Sequence, residues 1–375
     1  MAKINAKFFY VGHGAMNYIQ IFDDANAIVC QILIDAGCND DKTDGSKRES
    51  NVAFVKEQLV DNKYVSTLIL LTHFHDDHYN LLTSLITREL ENVWLLVGSL
   101  TDMLFMNNPE NDVAQLFHIL EENRRMILPR IESPVRILSK VRIPVQLPDG
   151  IDFYCLWNNY FADITTETIE DIVPRPSLGQ SYVNRNGAAF ALCLGDNALL
   201  FLGDMTGANF WALLLEDHLR TSIQTIFGNL KIWMTVPHHG SLNTLCGEPF
   251  LHPFVSFSFK TLHYNIDRLQ AALTEVFNRP CGMYVSAGYM DKFWHPSCLA
   301  SIAYDCCGNE DASQHDSYLL VYKGILSNLD INIPDQIEFE AWEEGKNYGW
   351  GNLHIVGGNT FATYVEEGTY WEKEI

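Results

Sequence analysis

Three histidines and two aspartates fall within six consecutive positions, His73-Phe74-His75-Asp76-Asp77-His78, and the apolar run Leu68-Ile69-Leu70-Leu71 leads into them through Thr72. Side chains alternate along an extended segment, so His73 and His75 leave it on the same side. Asp77 and His78 follow where the chain turns, and from there they can face a second ion next to the first. Imidazole and carboxylate donors suit zinc, and also iron or manganese. Two such ions about 3.5–4 Å apart can share a hydroxide and lower the pKa of its parent water toward neutrality. The chemistry to expect is hydrolysis.

A strand must deliver this motif, and other elements must bring further donors to it. The run over 65–71 has the character of a strand buried on both faces, 72–77 reads as the loop after it, and 79–90 as the next helix. Upstream, the pattern predicts strands over 8–11, 16–22 and 28–34, with a polar turn at Asp23-Asp24-Ala25-Asn26, and a helix over 52–59. Downstream, strand, helix and strand recur. Residues 190–194 and 198–202 read as a hairpin joined at Gly195-Asp196-Asn197. The longest irregular stretch, 158–187, is rich in Asn, Asp, Thr and Pro, and a loop of that length inside a compact domain is usually functional or mobile. From 326 onward, ten acids stand against two lysines. Short strands are expected there, in a C-terminal appendage that serves either as part of a homo-oligomer interface or as a solvated edge.

The H-x-H-x-D-H pattern after a buried strand resembles the signature of the metallo-β-lactamase superfamily, and further landmarks follow in the same chain order. Ile34-Asp35-Ala36-Gly37 ends an early strand, Phe201-Leu202-Gly203-Asp204 ends a later one, and Val236-Pro237-His238-His239-Gly240-Ser241 ends a third. Taken alone, Gly203-Asp204 would be an ordinary turn and His238-His239 a solvated pair; the motif and the order give them meaning. The resemblance implies an α/β fold, the four-layer αββα sandwich, with a hydrolase domain over 1–325 and the acidic, β-rich appendage over 326–375. It implies two divalent metal ions, zinc first with manganese or iron as alternatives. His73, His75, Asp77, His78, Asp204 and His239 are the ligands it implies, with Asp204 bridging the ions and Asp35 orienting a ligand histidine from behind.

A finer pattern, Val11-Gly12-His13-Gly14, then His-His-Gly-Ser, then Ser286-Ala287-Gly288 followed by His295-Pro296, is similar to the nuclease domain of ComEC-type DNA-uptake proteins. The likeness spans about residues 5 to 325 and points to a phosphodiesterase or nuclease. Asp77 would hold an ion and orient the nucleophile, and His238 or His295 would give a proton to the leaving alkoxide. The chain also departs from the pattern. Ala15 stands where the ComEC-like loop usually carries an acid. No histidine stands clearly where many members place a third ligand for the first metal; Asn158 and Asn159 lie roughly there, with His118 as a weaker candidate. One metal site is therefore expected to be under-liganded.

Composition narrows the partners. The 375 residues include 47% apolar and 19% charged, enough for a substantial core. A formal net charge of −22 repels polyanions at long range, which argues against coating long duplex nucleic acid or an anionic membrane. A pocket for a single phosphate survives this argument, because bound cations can dominate the local field. The first ten residues lack the long apolar run of a signal peptide, and no stretch reaches the roughly eighteen apolar residues that span a bilayer. Nine scattered cysteines with no CxxC spacing read as buried reduced thiols. The expected compartment is cytoplasmic. Against the phosphodiesterase stand two other readings: a hydrolase of a small ester, thioester, lactone or phosphoester, and a non-catalytic metal-binding interaction protein.

Overall fold

Alternating burial along the strands decides the layering. The computed structural model describes residues 2–9, 11, 14–38, 45–86, 90, 92–97, 112–122, 126–127, 139–140, 143, 145–158, 187–205, 207–215, 217–240, 271–277, 282–284 and 370–374. In chain order the strands are β1 (Lys3–Phe9), β2 (Met16–Phe22), β3 (Ile28–Ala36), β4 (Ser66–Leu71), β5 (Val93–Val97), β6 (Met126–Ile127) and β7 (Ser139–Lys140). They continue with β8 (Ile151–Asn158), β9 (Ala188–Leu194), β10 (Asn197–Phe201), β11 (Lys231–Thr235), β12 (Gly282–Tyr284) and β13 (Tyr370–Glu374). They form a seven-stranded sheet, β13-β1-β2-β3-β4-β5-β6, and a six-stranded sheet, β12-β11-β10-β9-β8-β7.

Leu68 and Leu70 of β4, with Ile32 and Ile34 of β3, belong to the apolar layer that also holds Phe190, Leu200 and Phe201 of the second sheet. Their alternates Ile69, Leu71 and Leu33 belong to a second layer, shared with Val55 and Leu59 of helix α1 (Gly45–Asp61). β1 to β5 thus feed the sheet–sheet core with one face and a helical layer with the other. The stacked rings of Phe8 and Phe201, 5.7 Å apart, join the two sheets. On the outer side of the second sheet, Phe210 and Leu213 of one helix and Leu219, Ile223 and Phe227 of the next pack into the same core. The order helix, sheet, sheet, helix is the four-layer αββα sandwich.

Several boundaries differ from the expectation. β1 begins at Lys3, because Ile4, Ala6 and Phe8 alternate with polar neighbours and pair antiparallel with β2 from Lys3↔Phe22 onward. α1 begins well before 52 and ends two residues past 59, its buried Asn51, Val55 and Leu59 spaced by four as one helical stripe requires. The single helix expected over 79–90 is instead two short ones, α2 (Asp76–Tyr79) and α3 (Leu82–Leu85). The cause is local. Asn80 donates from Nδ2 to Cys38 O (2.7 Å) and accepts from Cys38 N–H (2.9 Å), while Leu81 N–H donates to Ala36 O (2.9 Å). The chain is held to the end of β3 instead of continuing its own helical ladder. The hairpin expected around Gly195-Asp196-Asn197 is β9–β10, with Leu194 opposite Asn197. Of the segment from 326 onward, Tyr370–Glu374 is described, and it pairs antiparallel with β1 as the outer strand of the first sheet. Of the irregular stretch, 159–186 lies outside the described residues.

Among the described residues, no helix is long and apolar enough to cross a membrane. The described cysteines Cys30, Cys38, Cys155 and Cys193 are buried thiols. Burial pushes the thiols of Cys30, Cys155 and Cys193 up to about 12, with a contribution from Asp152 at Cys193. Since the thiolate is the nucleophile, these three should resist alkylation in the native state. Iodoacetamide labelling at about pH 8, followed by peptide mass mapping, should modify them only after denaturation in urea. Rapid native labelling of Cys155 would contradict the packing described.

Candidate metal centre

The parallel pairs β3/β4 and β10/β11 end on the same side, and the chain leaving each carboxyl end carries polar residues. β4 runs into Thr72 and His73, with α2 supplying Asp77 and His78. β10 leads through Leu202 and Gly203 to Asp204, and β11 through Val236 and Pro237 to His238 and His239. Backbone strain concentrates here. Asp35, His238 and His239 have φ of 53°, 50° and 48°, a left-handed conformation that side chains other than glycine adopt rarely. Two glycines are required by close approach. A Cβ on Gly37 would lie 2.4 Å from backbone atoms of Asp77 and His78. A Cβ on Gly203 (φ 52°) would lie 2.6 Å from the Thr72 side chain.

The six expected ligands come together. Ligand atoms of Asp77, His78, Asp204 and His239 lie within 4.8 Å of one another, and so do those of His73, His75 and Asp204. Asp204 belongs to both groups. Its Oδ1 faces His78 Nε2 (3.1 Å) and His239 Nε2 (3.2 Å), and its Oδ2 faces His73 Nε2 (3.6 Å) and His238 Nε2 (3.6 Å). His73 Nε2 is 3.1 Å from His75 Nδ1, His78 Nε2 is 3.3 Å from His239 Nε2, and His239 Nε2 is 3.5 Å from Asp77 Oδ2. Two nitrogens on one tetrahedral zinc at normal bond lengths lie about 3.3–3.4 Å apart. The donor set and its spacing fit a pair of divalent cations.

Protonation tells the same story. Burial drives His73 well below the ordinary histidine range, with His78 adding to the effect against Asp204, and burial also lowers His75. Burial acts the same way on His78, but Asp204 and Asp35 outweigh it and hold His78 well above that range. His239 is raised against burial by Asp204 and Asp77. Burial would push Asp204 up, but His239, His78, His238 and His73 together hold it well below the ordinary carboxylate range. His78 Nδ1 faces Asp35 Oδ2 at 2.9 Å, and its Nε2 lies 3.1 Å from Asp204 Oδ1 and 3.3 Å from His239 Nε2. Two ring nitrogens and a carboxylate oxygen converging at one point are a donor set that suits a cation. His75 Nε2 is buried with no hydrogen-bond partner among the described residues.

Asp35 lies behind the cluster. It accepts from Thr72 N–H at Oδ1 (2.8 Å) and, at Oδ2, from the Thr72 hydroxyl (2.7 Å) and His78 Nδ1 (2.9 Å). His238 sits on the rim, its side chain 17% exposed against 1% for His73 and His78. Ala15, where an acid was expected by resemblance, donates its N–H to Asp77 O (3.0 Å) and accepts from Gly37 N–H (3.0 Å), so this position braces the motif through its backbone. His118, on α4 (Asp112–Glu122), belongs to neither donor group, and Asn158 ends β8. Gly12, His13, Asn159, Ser241, Ser286-Ala287-Gly288 and His295 lie outside the described residues. The sequence reading missed Thr72. Its place immediately before His73 was the available signal, but a threonine just after a strand is ordinarily unremarkable.

No protein-family model and no curated protein matches the chain. Solved structures similar to it include a long-form RNase Z from yeast, 12% identical over 76% of this chain and 37% of that one, TM-score 0.39. They also include unliganded yeast PDE1, 12% identical over 81% and 93%, TM-score 0.40, and Zn(2+)-bound PqqB from Methylobacterium extorquens, 9% identical over 61% and 72%, TM-score 0.33. The chain spans about a third of the length of that RNase Z. At such scores, the reading of the site rests on its own geometry.

A cation entering this cluster would compete with protons at His78 and His239. Because both are raised, the competition begins above the ordinary histidine range, and metal affinity should fall steadily as pH is lowered through it. Zinc calorimetry between about pH 6 and 8.5, in buffers of different ionisation enthalpy, should show about one proton or more released per chain at neutral pH. Binding with no proton release would sink this account.

Proposed function

We propose that the chain is a two-metal hydrolase whose substrates are phosphodiesters, short or single-stranded where they are nucleic acid. The observation that carries this reading is the position of Asp204, with one carboxylate oxygen turned to each of two donor groups. His73, His75 and Asp204 would hold one cation, and Asp77, His78, His239 and Asp204 the other. When bound, the pair supplies a water of lowered pKa and positive charge for the oxygen on which charge develops.

The remaining work belongs to side chains. Asp77 accepts a hydrogen bond from the attacking water and turns its lone pair toward the phosphorus. His238, more exposed than the histidines behind it, would meet the substrate and give a proton to the leaving alkoxide. Phosphodiesters are favoured because the His-His-Gly-Ser segment that resembles ComEC-type nuclease domains contributes His238 and His239 to this cluster. His295 is the second candidate for the leaving-group proton. The formal charge of −22 favours small substrates and gives a second reading its support, a hydrolase of small esters, thioesters or lactones. Buried thiols support a reducing compartment such as the cytoplasm.

Protein purified without chelator should carry close to two metal equivalents and hydrolyse a generic phosphodiester faster than a thioester or lactone. Asp77→Ala should lower turnover by about 10²–10⁴-fold while circular dichroism stays unchanged. Cleavage of short single strands should depend weakly on salt and exceed that of long duplex, since few basic groups release counterions. Undiminished turnover in Asp77→Ala would remove the proposed mechanism, and faster thioester than phosphodiester cleavage would favour the second reading.

A further inference from the structure

A histidine ligand offers one nitrogen to a metal and must place its proton on the other, and something has to fix that choice. For His78 the device is direct: Nδ1 lies 2.9 Å from Asp35 Oδ2, leaving Nε2 toward Asp204. Among the described residues, no carboxylate meets the Nδ1 of His73. The atom it meets there is the Thr72 hydroxyl oxygen, at 3.1 Å. A threonine hydroxyl has one proton to give and lone pairs to receive. That proton goes to Asp35 Oδ2, 2.7 Å away, so toward His73 the oxygen presents a lone pair. An unprotonated Nδ1 would then face it lone pair to lone pair. A protonated Nδ1 donates to it and leaves Nε2 bare, directed at Asp204 and at the His75 ring.

We propose that Thr72 is the positioning residue for His73, its hydroxyl passing the orienting effect of Asp35 to that ring, so that one carboxylate selects the ligating nitrogen of a histidine in each donor group. This rests on the reading of the cluster as a two-metal site.

The hydroxyl is itself tightly placed. Asp35 Oδ1 accepts the Thr72 N–H (2.8 Å), which fixes the carboxylate against the residue whose hydroxyl it also receives. Thr72 O accepts from Ala188 N–H across to the second sheet, and the side chain fills the space that a Cβ on Gly203 would need. Thr72 is 1% exposed, so water does not compete for its hydroxyl. The two donor groups therefore differ in how they are braced. In one, His78 is held by the carboxylate; in the other, His73 is held through a neutral hydroxyl.

Thr72→Val keeps the shape and removes the oxygen, while Thr72→Ser keeps the oxygen. Stepwise zinc titration by calorimetry reads both sites, with His75→Ala identifying the step that belongs to the His73 group and Asp77→Ala the other step. Thr72→Val should weaken the His73-group step by about 10–100-fold and the other step by distinctly less, and Thr72→Ser should restore it to within about threefold. An unchanged His73-group step in a folded Thr72→Val protein overturns the inference, as does equal loss at both steps in Val and Ser. If the wild type itself takes up no zinc, the two-metal reading fails and this inference with it. A second measurement is independent of any variant. Nitrogen-15 NMR of wild-type histidine should show His73 protonated on Nδ1 in both the metal-free and the zinc-loaded protein. Protonation on Nε2 in the metal-free protein overturns the assignment.

Discussion

Asp204 sits at the end of β10 with its side chain 4% exposed, surrounded by four imidazoles and held ionised by them. A buried carboxylate costs several kcal/mol unless its lone pairs are met, and removing one partner of such a set leaves the rest uncompensated. Most of the local architecture can be read as the answer to that constraint. β4 brings His73 and, through α2, His78; β11 brings His238 and His239. The two sheets have to approach closely at this end for all four to reach one carboxylate. The stacking of Phe8 on Phe201 and the apolar layer shared by both sheets hold them there.

The backbone carries part of the load. Asp35, His238 and His239 adopt left-handed φ values, each an expense of order 1–3 kcal/mol that the surroundings must over-determine. At His238 the compensation is visible: its N–H donates to Gly203 O (2.9 Å), tying the loop after β11 to the turn that carries Asp204. Consecutive left-handed residues let two adjacent histidines reach opposite oxygens of a single carboxylate, which neither a strand nor a helix would allow. Gly37 serves the same end from the other sheet, since any side chain there would displace Asp77 and His78.

How much of this could be read from the chain follows from how local each signal is. The grouping of His73, His75, Asp77 and His78 is written in adjacency and a period of two, so the motif is legible without a structure. Asp204 and His239 are distant in sequence and took their meaning from chain order within a resemblance. The break between α2 and α3 was not legible, because it is made by Asn80 reaching back to Cys38 across the end of β3, a contact no periodicity encodes. That Tyr370–Glu374 pairs with β1 was not legible for the same reason, since the partner strand lies at the other end of the chain. Thr72 failed to register because its hydroxyl acts through two neighbours at once, one adjacent and one 37 positions away.

The acidity of the chain and an anionic substrate are compatible once distance is considered. At a Debye length of about 8 Å, the net charge of −22 acts on a long polyanion approaching over a wide surface. It acts far less on one phosphate that has reached a shielded cluster. Inside that cluster the ligand carboxylates are those of Asp77 and Asp204, and two divalent cations would more than neutralise them, leaving a local excess of positive charge. Under the proposed function, such a site would favour one phosphodiester group and disfavour the rest of a long nucleic acid. Selection by length would then arise without a steric gate, from a positive centre set in an acidic body.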